Sequence, residues 1–311
     1  MAEPSTPAQP RSVVITGASR GLGLASAAHL YRQGWHVLAA MRAPDVGMAR
    51  LREATGATLD DPRLTPVRLD LDDPTSISEA ARMIEKAVGA PDAVVHNAAL
   101  IVVGCVEEMP ADVFRQIFAT NVLGPVRLTQ ELLPAMRAAG RGRIVVVSSA
   151  GGVRGMPTTS AYSASKGALE RWAEALAEEI AAFGLGVTVL VAGTFNTSLE
   201  QTFTYADRDG PYSEHHASLG RAGERVLRSV SPPENFPPGL TKALGDRAPF
   251  TRHAVGNDAR MLLAGKRLMP DRIFRALVGK TLGLPRPGSL RDHPHRLATV
   301  TPPSDESERH G

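Results

Sequence analysis

The chain is predicted to fold as a doubly wound α/β domain, a parallel sheet between two layers of helices, with a helical extension at its C-terminal end. Three observations predict this. Short β-branched runs alternate with longer segments whose apolar residues recur at helical spacing. A glycine-rich turn lies between the first such run and the first helical segment. The residues with chemistry fall just after the strands, at the carboxyl edge where open sheets of this kind bind ligands.

Strands are predicted at residues 12–16, 36–41, 65–69, 93–96, 143–148 and 186–191, and helices at 22–33, 75–88, 111–139 and 160–183. Right-handed crossovers between parallel strands put such helices on both faces. Beyond residue 199 the rhythm breaks, and Pro232, Pro233, Pro237 and Pro238 limit regular structure. A short strand at 250–255 follows, then a helix at 258–268 and another opening near Pro270 that carries Ile273, Phe274, Leu277 and Val278. A first-turn proline costs a helix little, because that backbone N–H lacks an intrahelical partner anyway. The organisation is therefore a disordered leader (1–11), one main domain (12–283) and a disordered Pro-, Arg- and His-containing tail (284–311). Within the main domain, 199–249 covers the pocket and 250–283 supplies the last strand and the C-terminal helices.

Composition narrows the function classes. With 311 residues, 43% hydrophobic and 22% charged, the chain can bury one large core. The formal charge of +3 is small and the signs are interspersed, which gives no footprint for nucleic acid. The single cysteine, Cys105, excludes an internal disulfide and suits a reducing compartment, and it reads as a small buried apolar residue. No apolar run reaches the roughly 18 residues of a membrane span, and the leader has no apolar signal core. The expected location is cytoplasmic. His215 and His216 read as surface residues of an irregular stretch, and no metal site is expected.

The turn after the first strand reads Thr16-Gly17-Ala18-Ser19-Arg20-Gly21-Leu22-Gly23. Glycines there allow a tight turn and close backbone approach, and the free N–H groups at the helix start favour a pyrophosphate. After the second strand, an acid would bond the adenosine ribose hydroxyls and repel a 2′-phosphate. Met41 and Arg42 occupy that place instead, and Arg20 lies in the glycine turn. Two guanidinium groups without a competing carboxylate suit a phosphate dianion, so NADP(H) is favoured over NAD(H). Asp70 and Leu71 follow the third strand, where a carboxylate could accept from an adenine amino group. Asn97, Ala98 and Ala99 follow the fourth and offer close approach to a ribose.

Tyr162 and Lys166 stand four residues apart on one helix face. In a chain with four tyrosines and five lysines, about 0.06 such pairs would arise by chance. A phenol can exchange a proton with a carbonyl or alcohol oxygen, but its ordinary pKa of about 10 is too high for base work at neutral pH. Lowering it by about three units takes on the order of 4 kcal/mol, within reach of a close ammonium plus the nicotinamide's own charge. Ser149 ends the fifth strand and could donate to a substrate oxygen. Asn121 interrupts a long helical pattern with a residue that helix interiors tolerate poorly.

From about residue 12 to 197 the chain resembles the short-chain dehydrogenase/reductase family, whose domain is of the Rossmann type. The resemblance rests on Thr16 to Gly23, Asn97-Ala98, Asn121, Ser149 and Tyr162-Ser163-Ala164-Ser165-Lys166, in order and spacing. Ser149, not Ser148, lies thirteen residues before Tyr162, as the family's catalytic serine does. The resemblance implies Tyr162 as general acid/base, Ser149 as the group that polarises the substrate oxygen and Lys166 as the holder of the nicotinamide ribose that also tunes Tyr162. It further implies Asn121 as anchor of a proton-relay water, and hydride transfer between nicotinamide and a carbonyl carbon. The family's Pro-Gly-x-x-x-Thr segment reads Ala192-Gly193-Thr194-Phe195-Asn196-Thr197, which keeps Phe195 and Thr197 as cofactor contacts but loses the proline. The usual Asn-Asn-Ala-Gly reads His96-Asn97-Ala98-Ala99. Residues 162–176 and 250–270 are similar to the branch containing 17β-hydroxysteroid and retinol dehydrogenases, which implies a bulky apolar alcohol or ketone of steroid, retinoid or polyketide character.

The first reading is thus an NADP(H)-linked alcohol dehydrogenase or carbonyl reductase. The second is a catalytically idle NADP(H)-binding sensor or scaffold, disfavoured because all four catalytic positions are filled. A basic, apolar-striped stretch with Arg260, Lys266, Arg267, Arg272, Arg275 and Lys280 also fits a helix lying on a membrane, although a core or pocket wall is the favoured use. Helices 111–139 and 160–183 resemble those through which the family dimerises, so a homodimer is expected.

Overall fold

In the computed structural model, which describes residues 10–197, 203–205, 207, 210–227 and 230–291, alternation of strand and helix dominates the chain. The expected leader falls outside those residues except for its last two, as does the tail beyond 291. The first half runs β1 (Ser12–Thr16), α1 (Gly21–Arg32), β2 (His36–Met41), α2 (Pro44–Thr55), β3 (Leu64–Arg68), α3 (Pro74–Val88), β4 (Ala93–His96) and β5 (Val102–Val103). Then come α4 (Ala111–Phe118), a π-helical turn (Ala119–Leu123), α5 (Gly124–Ala139), β6 (Gly142–Ser149), α6 (Ala150–Val153), α7 (Ser160–Ile180) and β7 (Leu185–Ala192). The remainder comprises β8 (Phe203–Thr204), α8 (Ser213–Leu227), α9 (Pro237–Leu244), β9 (Phe250–Val255), α10 (Asn257–Leu268) and α11 (Asp271–Leu282).

Seven strands pair in parallel in the order β3-β2-β1-β4-β6-β7-β9, the doubly wound sheet expected from the sequence. Successive side chains of a strand point to opposite faces, and the apolar runs are used accordingly. Val13, Ile15, Val37, Ala39, Val145 and Val147 face one core with α1, α2 and α9. Val14, Leu38, Ala40, Ile144 and Val146 face the other with α3, α5 and α7. Because every strand runs the same way, the carboxyl ends of β1, β2, β4, β6 and β7 come to one edge. Strand order reverses between β1 and β4, which opens a crevice there.

Four features depart from the expectations. The helix foreseen at 111–139 is broken by the π turn, because Asn121 points inward at 0% exposure to bond the backbone of Leu100. Pro237 and Pro238 open α9 instead of limiting structure, since a first-turn proline forfeits no bond. His215 and His216 lie in a regular helix, α8, not in an irregular stretch. Finally, only part of the apolar stripe of α10 and α11 joins the core: Ala259 is buried there with Leu263 packed against it and Phe274 is buried, whereas Met261, Leu268, Ile273 and Leu277 are exposed. These two helices lie past the last strand, against α6, α8 and β9, where only Ala259 and Phe274 become buried. Among the described residues no helix is long and apolar enough to cross a membrane.

The stretch after β7 is held from below by Phe236, which is fully buried and meets Phe195 edge-on with ring centroids 5.7 Å apart. Phe236→Ala is expected to lower unfolding free energy by about 3–5 kcal/mol, measured by urea denaturation, since it leaves a cavity among Phe195, Leu240 and Leu244 in the packed core.

Candidate active site

The crevice is lined first by the glycine turn. Gly17 takes a positive φ of 70° and donates its N–H to Ala40 O at 2.9 Å, which fastens the turn to β2. A Cβ on Gly23 would stand 2.1 Å from Gly17 O and 2.6 Å from Asn97 Nδ2, so only glycine lets α1 come this close. Arg20 precedes α1 with extended backbone and no side-chain cap, leaving the N–H groups of the first turn for a ligand. Gly21 lies beneath Thr197, and Leu22 packs its side chain on the core. Ser19 is approached by α2 at Gly47, where a Cβ would come within 2.9 Å of Ser19 Cβ. Such a bare, donor-rich concavity fits a dinucleotide pyrophosphate. Arg20 and Arg42 both lie exposed at its rim.

Asn97 builds the cradle as much as it lines it. Its Nδ2 donates to Thr16 O at 2.9 Å, and the N–H groups of Asn97 and Ala98 both donate to Thr16 Oγ1 at 3.0 Å. Ala99 is exposed just beyond. Asp70 lies at the crevice side of β3 with one carboxylate oxygen accepting from Asp72 N at 3.1 Å, and Leu71 is buried against Gly124. Phe195 contributes only backbone here, because its ring is buried against Phe236.

The last three residues of β6 all meet α7. Ser149 lies beside the Tyr162 phenol, and its Oγ accepts from Gly151 N at 3.3 Å. Lys166 Nζ donates to Val147 O at 2.7 Å. Ser148 Oγ donates to Glu170 Oε1 at 2.5 Å. Tyr162, Lys166 and Glu170 are spaced by four, so one face of the helix supplies all three. The two adjacent serines thereby separate: Ser148 is buried and committed to Glu170, whereas Ser149 sits at the edge beside the phenol. Asn121 joins the group from behind. Its Nδ2 donates to Ser165 Oγ at 3.0 Å, and Ser165 Oγ donates to Tyr162 O at 2.7 Å.

Burial sets the electrostatics. It raises the Tyr162 phenol above its ordinary pKa, and the neighbouring Ser149 hydroxyl offsets this only in part. Lys166, 2% exposed, is pulled down to about 8 by desolvation, with the Glu170 carboxylate opposing. Its ammonium lies 5.9 Å from the centre of the Tyr162 ring and spends a proton on Val147, so in the chain alone it does not produce the depressed phenol foreseen from the spacing. His96 is pushed down to about 3 by burial and by Lys166, and stays neutral, with Nε2 paired to Thr129 Oγ1 at 2.8 Å.

Several contributors were invisible in the sequence. Asp258, at the start of α10, accepts from Thr194 N at 2.6 Å and Thr194 Oγ1 at 2.9 Å, pinning the loop that lost its proline. Glu108, 2% exposed, accepts from Cys105 N at 2.9 Å and meets His216 Nε2 at 2.7 Å, so α8 is clasped to the segment after β5. Burial and this carboxylate push the Cys105 thiol up to about 12, which keeps it protonated. Only the acidic and histidine residues themselves were legible; their pairing across 108 residues was not.

Comparison with known proteins agrees with this geometry. Residues 11–207 match the sequence profile of short chain dehydrogenases. Retinol dehydrogenase 8 of Bos taurus is 30% identical over 275 residues, covering 84% of this chain and 86% of its own. A short-chain dehydrogenase from Streptomyces avermitilis superimposes with a TM-score of 0.75 at 29% identity, covering 89% of this chain and 98% of that one. A Beutenbergia cavernae protein assigned as an NAD(P)-dependent gluconate 5-dehydrogenase, crystallised with NADP at low occupancy, gives 0.66 at 26% identity, with 81% and 97% covered.

Gly23→Ala is expected to weaken NADPH binding at least about tenfold, read from the fluorescence of the bound dinucleotide, because the added methyl must displace either α1 or the Gly17 carbonyl.

Proposed function

We propose that this chain, which belongs to the short-chain dehydrogenase family, is an NADP(H)-dependent oxidoreductase that interconverts an alcohol and a ketone or aldehyde on a bulky apolar substrate. The observation that carries the reading is the pair of neighbouring hydroxyls, Ser149 and Tyr162, at the carboxyl edge of β6 with the Lys166 ammonium buried behind them.

When bound, the dinucleotide supplies or takes up the hydride. Gly17, Ser19, Gly21, Gly23, Asn97, Ala98 and Thr197 would hold it along the crevice. Everything else falls to the side chains. A carbonyl oxygen placed between the neighbouring hydroxyls accepts from both Ser149 and Tyr162. Ser149 then stabilises the charge that grows on that oxygen, and Tyr162, kept protonated by burial, delivers the proton. In the reverse direction the alcohol proton passes to Tyr162. Lys166 holds positive charge beside the phenol, so the phenolate left by proton delivery is paired and not isolated in a dry site. Asn121 acts through Ser165 and the Tyr162 carbonyl, as a positioning residue.

Support for NADP(H) comes from Arg42 and Arg20 at the rim, from the absence of an acid at the end of β2, and from the NADP-bound relative. Support for an apolar substrate comes from the similarity to a retinol dehydrogenase. Absorbance at 340 nm across steroidal, retinoid and small aromatic ketones, with NADPH and NADH in parallel, tests both. Faster turnover with NADPH is expected, and Arg42→Ala should narrow the preference by about tenfold. Preference for NADH would overturn the cofactor assignment, and tight NADPH binding with no turnover would establish an idle binding protein instead.

The ionisations fix a pH dependence. Reduction needs Tyr162 protonated and Lys166 charged, and the ammonium is lost as pH rises through about 8. Ketone reduction should therefore be level at neutral pH and fall above about pH 8. Tyr162→Phe should reduce turnover by at least about a thousandfold while NADPH affinity stays within about twofold, since the phenol moves a proton but does not hold the dinucleotide alone.

A further inference from the structure

Glu170 is a charged side chain at 1% exposure with no assigned part in the reaction above. Burying a carboxylate is costly unless it is paired and hydrogen-bonded. Here the pairing is complete. One oxygen accepts from Ser148 Oγ at 2.5 Å, and the other accepts from Arg252 Nη2 at 2.7 Å, while Arg171 approaches at 3.9 Å from the surface. Arg252 belongs to β9 and also meets Glu174 at 3.0 Å. Room for the carboxylate is made by Gly152, where a Cβ would lie 2.7 Å from Glu170 Oε1.

Two consequences follow for the reacting groups. The bond to Ser148 fixes the residue immediately before Ser149, so it sets which face of β6 turns toward Tyr162. One helical turn below Lys166, the carboxylate is also the negative charge that opposes the loss of that ammonium's proton in a dry environment. Among the described residues no other group around Lys166 supplies a negative charge, since Tyr162 is a neutral phenol, His96 on β4 is a neutral imidazole, and β6 presents the Val147 carbonyl. Arg252 balances Glu170 on its far side, toward β9.

We propose that Glu170 is a positioning residue of the reaction, which holds Ser149 in register through Ser148 and sets its buried carboxylate one helical turn from Lys166. The proposal rests on the functional reading above, yet its charge component can be tested without turnover. The chain has five lysines, so protein labelled with [ε-13C]lysine gives five signals, and Lys166→Met identifies the one that matters. In Glu170→Gln the midpoint of that signal should move down by about one pH unit, and the alkaline limb of ketone reduction should move with it. Glu170→Asp, which keeps the charge, should return both toward the wild type even at reduced rate. Ser148→Ala should lower kcat several-fold without moving the midpoint, because it removes the bond and not the charge. An unchanged midpoint in folded Glu170→Gln, or an equal shift in Ser148→Ala, would overturn the proposal. If Glu170→Gln does not fold, Glu170→Asp decides: a rate limb displaced as far as the loss of the ammonium would displace it counts against a charge role. Wild-type protein that reduces no ketone would refute the functional reading alone and leave the lysine titration to judge Glu170.

Discussion

The structure depends on one junction, the end of β6 against the first three turns of α7. Lys166 and Glu170 hydrogen-bond Val147 and Ser148 respectively, and Tyr162 lies beside Ser149. Both bonds involve buried charged groups, and losing one costs about 1.5–3 kcal/mol. The helix is thereby fixed in rotation and height relative to the strand, and the two hydroxyls that matter chemically share one small region of the sheet edge. The sheet supplies the strand end, and its parallel order brings the glycine turn, Asn97 and Thr197 to the same edge.

Supports for this junction reach it from distant parts of the chain. Asn121 leaves its helix through a π turn to hold Leu100 and, through Ser165, the backbone of Tyr162. Arg252 arrives from the last strand to balance Glu170. Asp258 follows it to pin Thr194, and so stabilises the loop that ends in Thr197. The C-terminal extension therefore completes the site, although its helices are themselves largely exposed.

What the sequence made legible was what local spacing decides. The strands were readable from β-branched runs, and β9 was placed at Phe250–Val255 within a proline-rich region. The glycine turn, the Tyr162–Lys166 interval and the choice of Ser149 over Ser148 all follow from fixed offsets, and the structure separates the two serines by giving Ser148 to Glu170. What escaped was decided by partners far away in sequence. Helix α2 went unread because Pro44 and Gly47 weaken its pattern and only Gly47, Met48 and Leu51 are buried. Helix α8 was obscured by polar residues, yet His216 ties it to Glu108. Glu170 looked like one more charge on a helix surface, and nothing local announces that it faces inward across 82 residues to Arg252. At Tyr162, spacing shows that an ammonium is near but not that, in the chain without its dinucleotide, burial outweighs it.

The central claim is that the Ser149–Tyr162 edge, backed by Lys166, carries proton delivery to a carbonyl during reduction by NADPH. The most direct measurement is isotopic: the protein is given NADPH carrying deuterium at both positions of nicotinamide C4 and an apolar ketone, and the alcohol is analysed by mass spectrometry. The account predicts alcohol with one deuterium on the carbinol carbon from the wild type, and none above background from a chain lacking the Tyr162 hydroxyl. Unlabelled alcohol from the wild type, or equal labelled product without that hydroxyl, would contradict it.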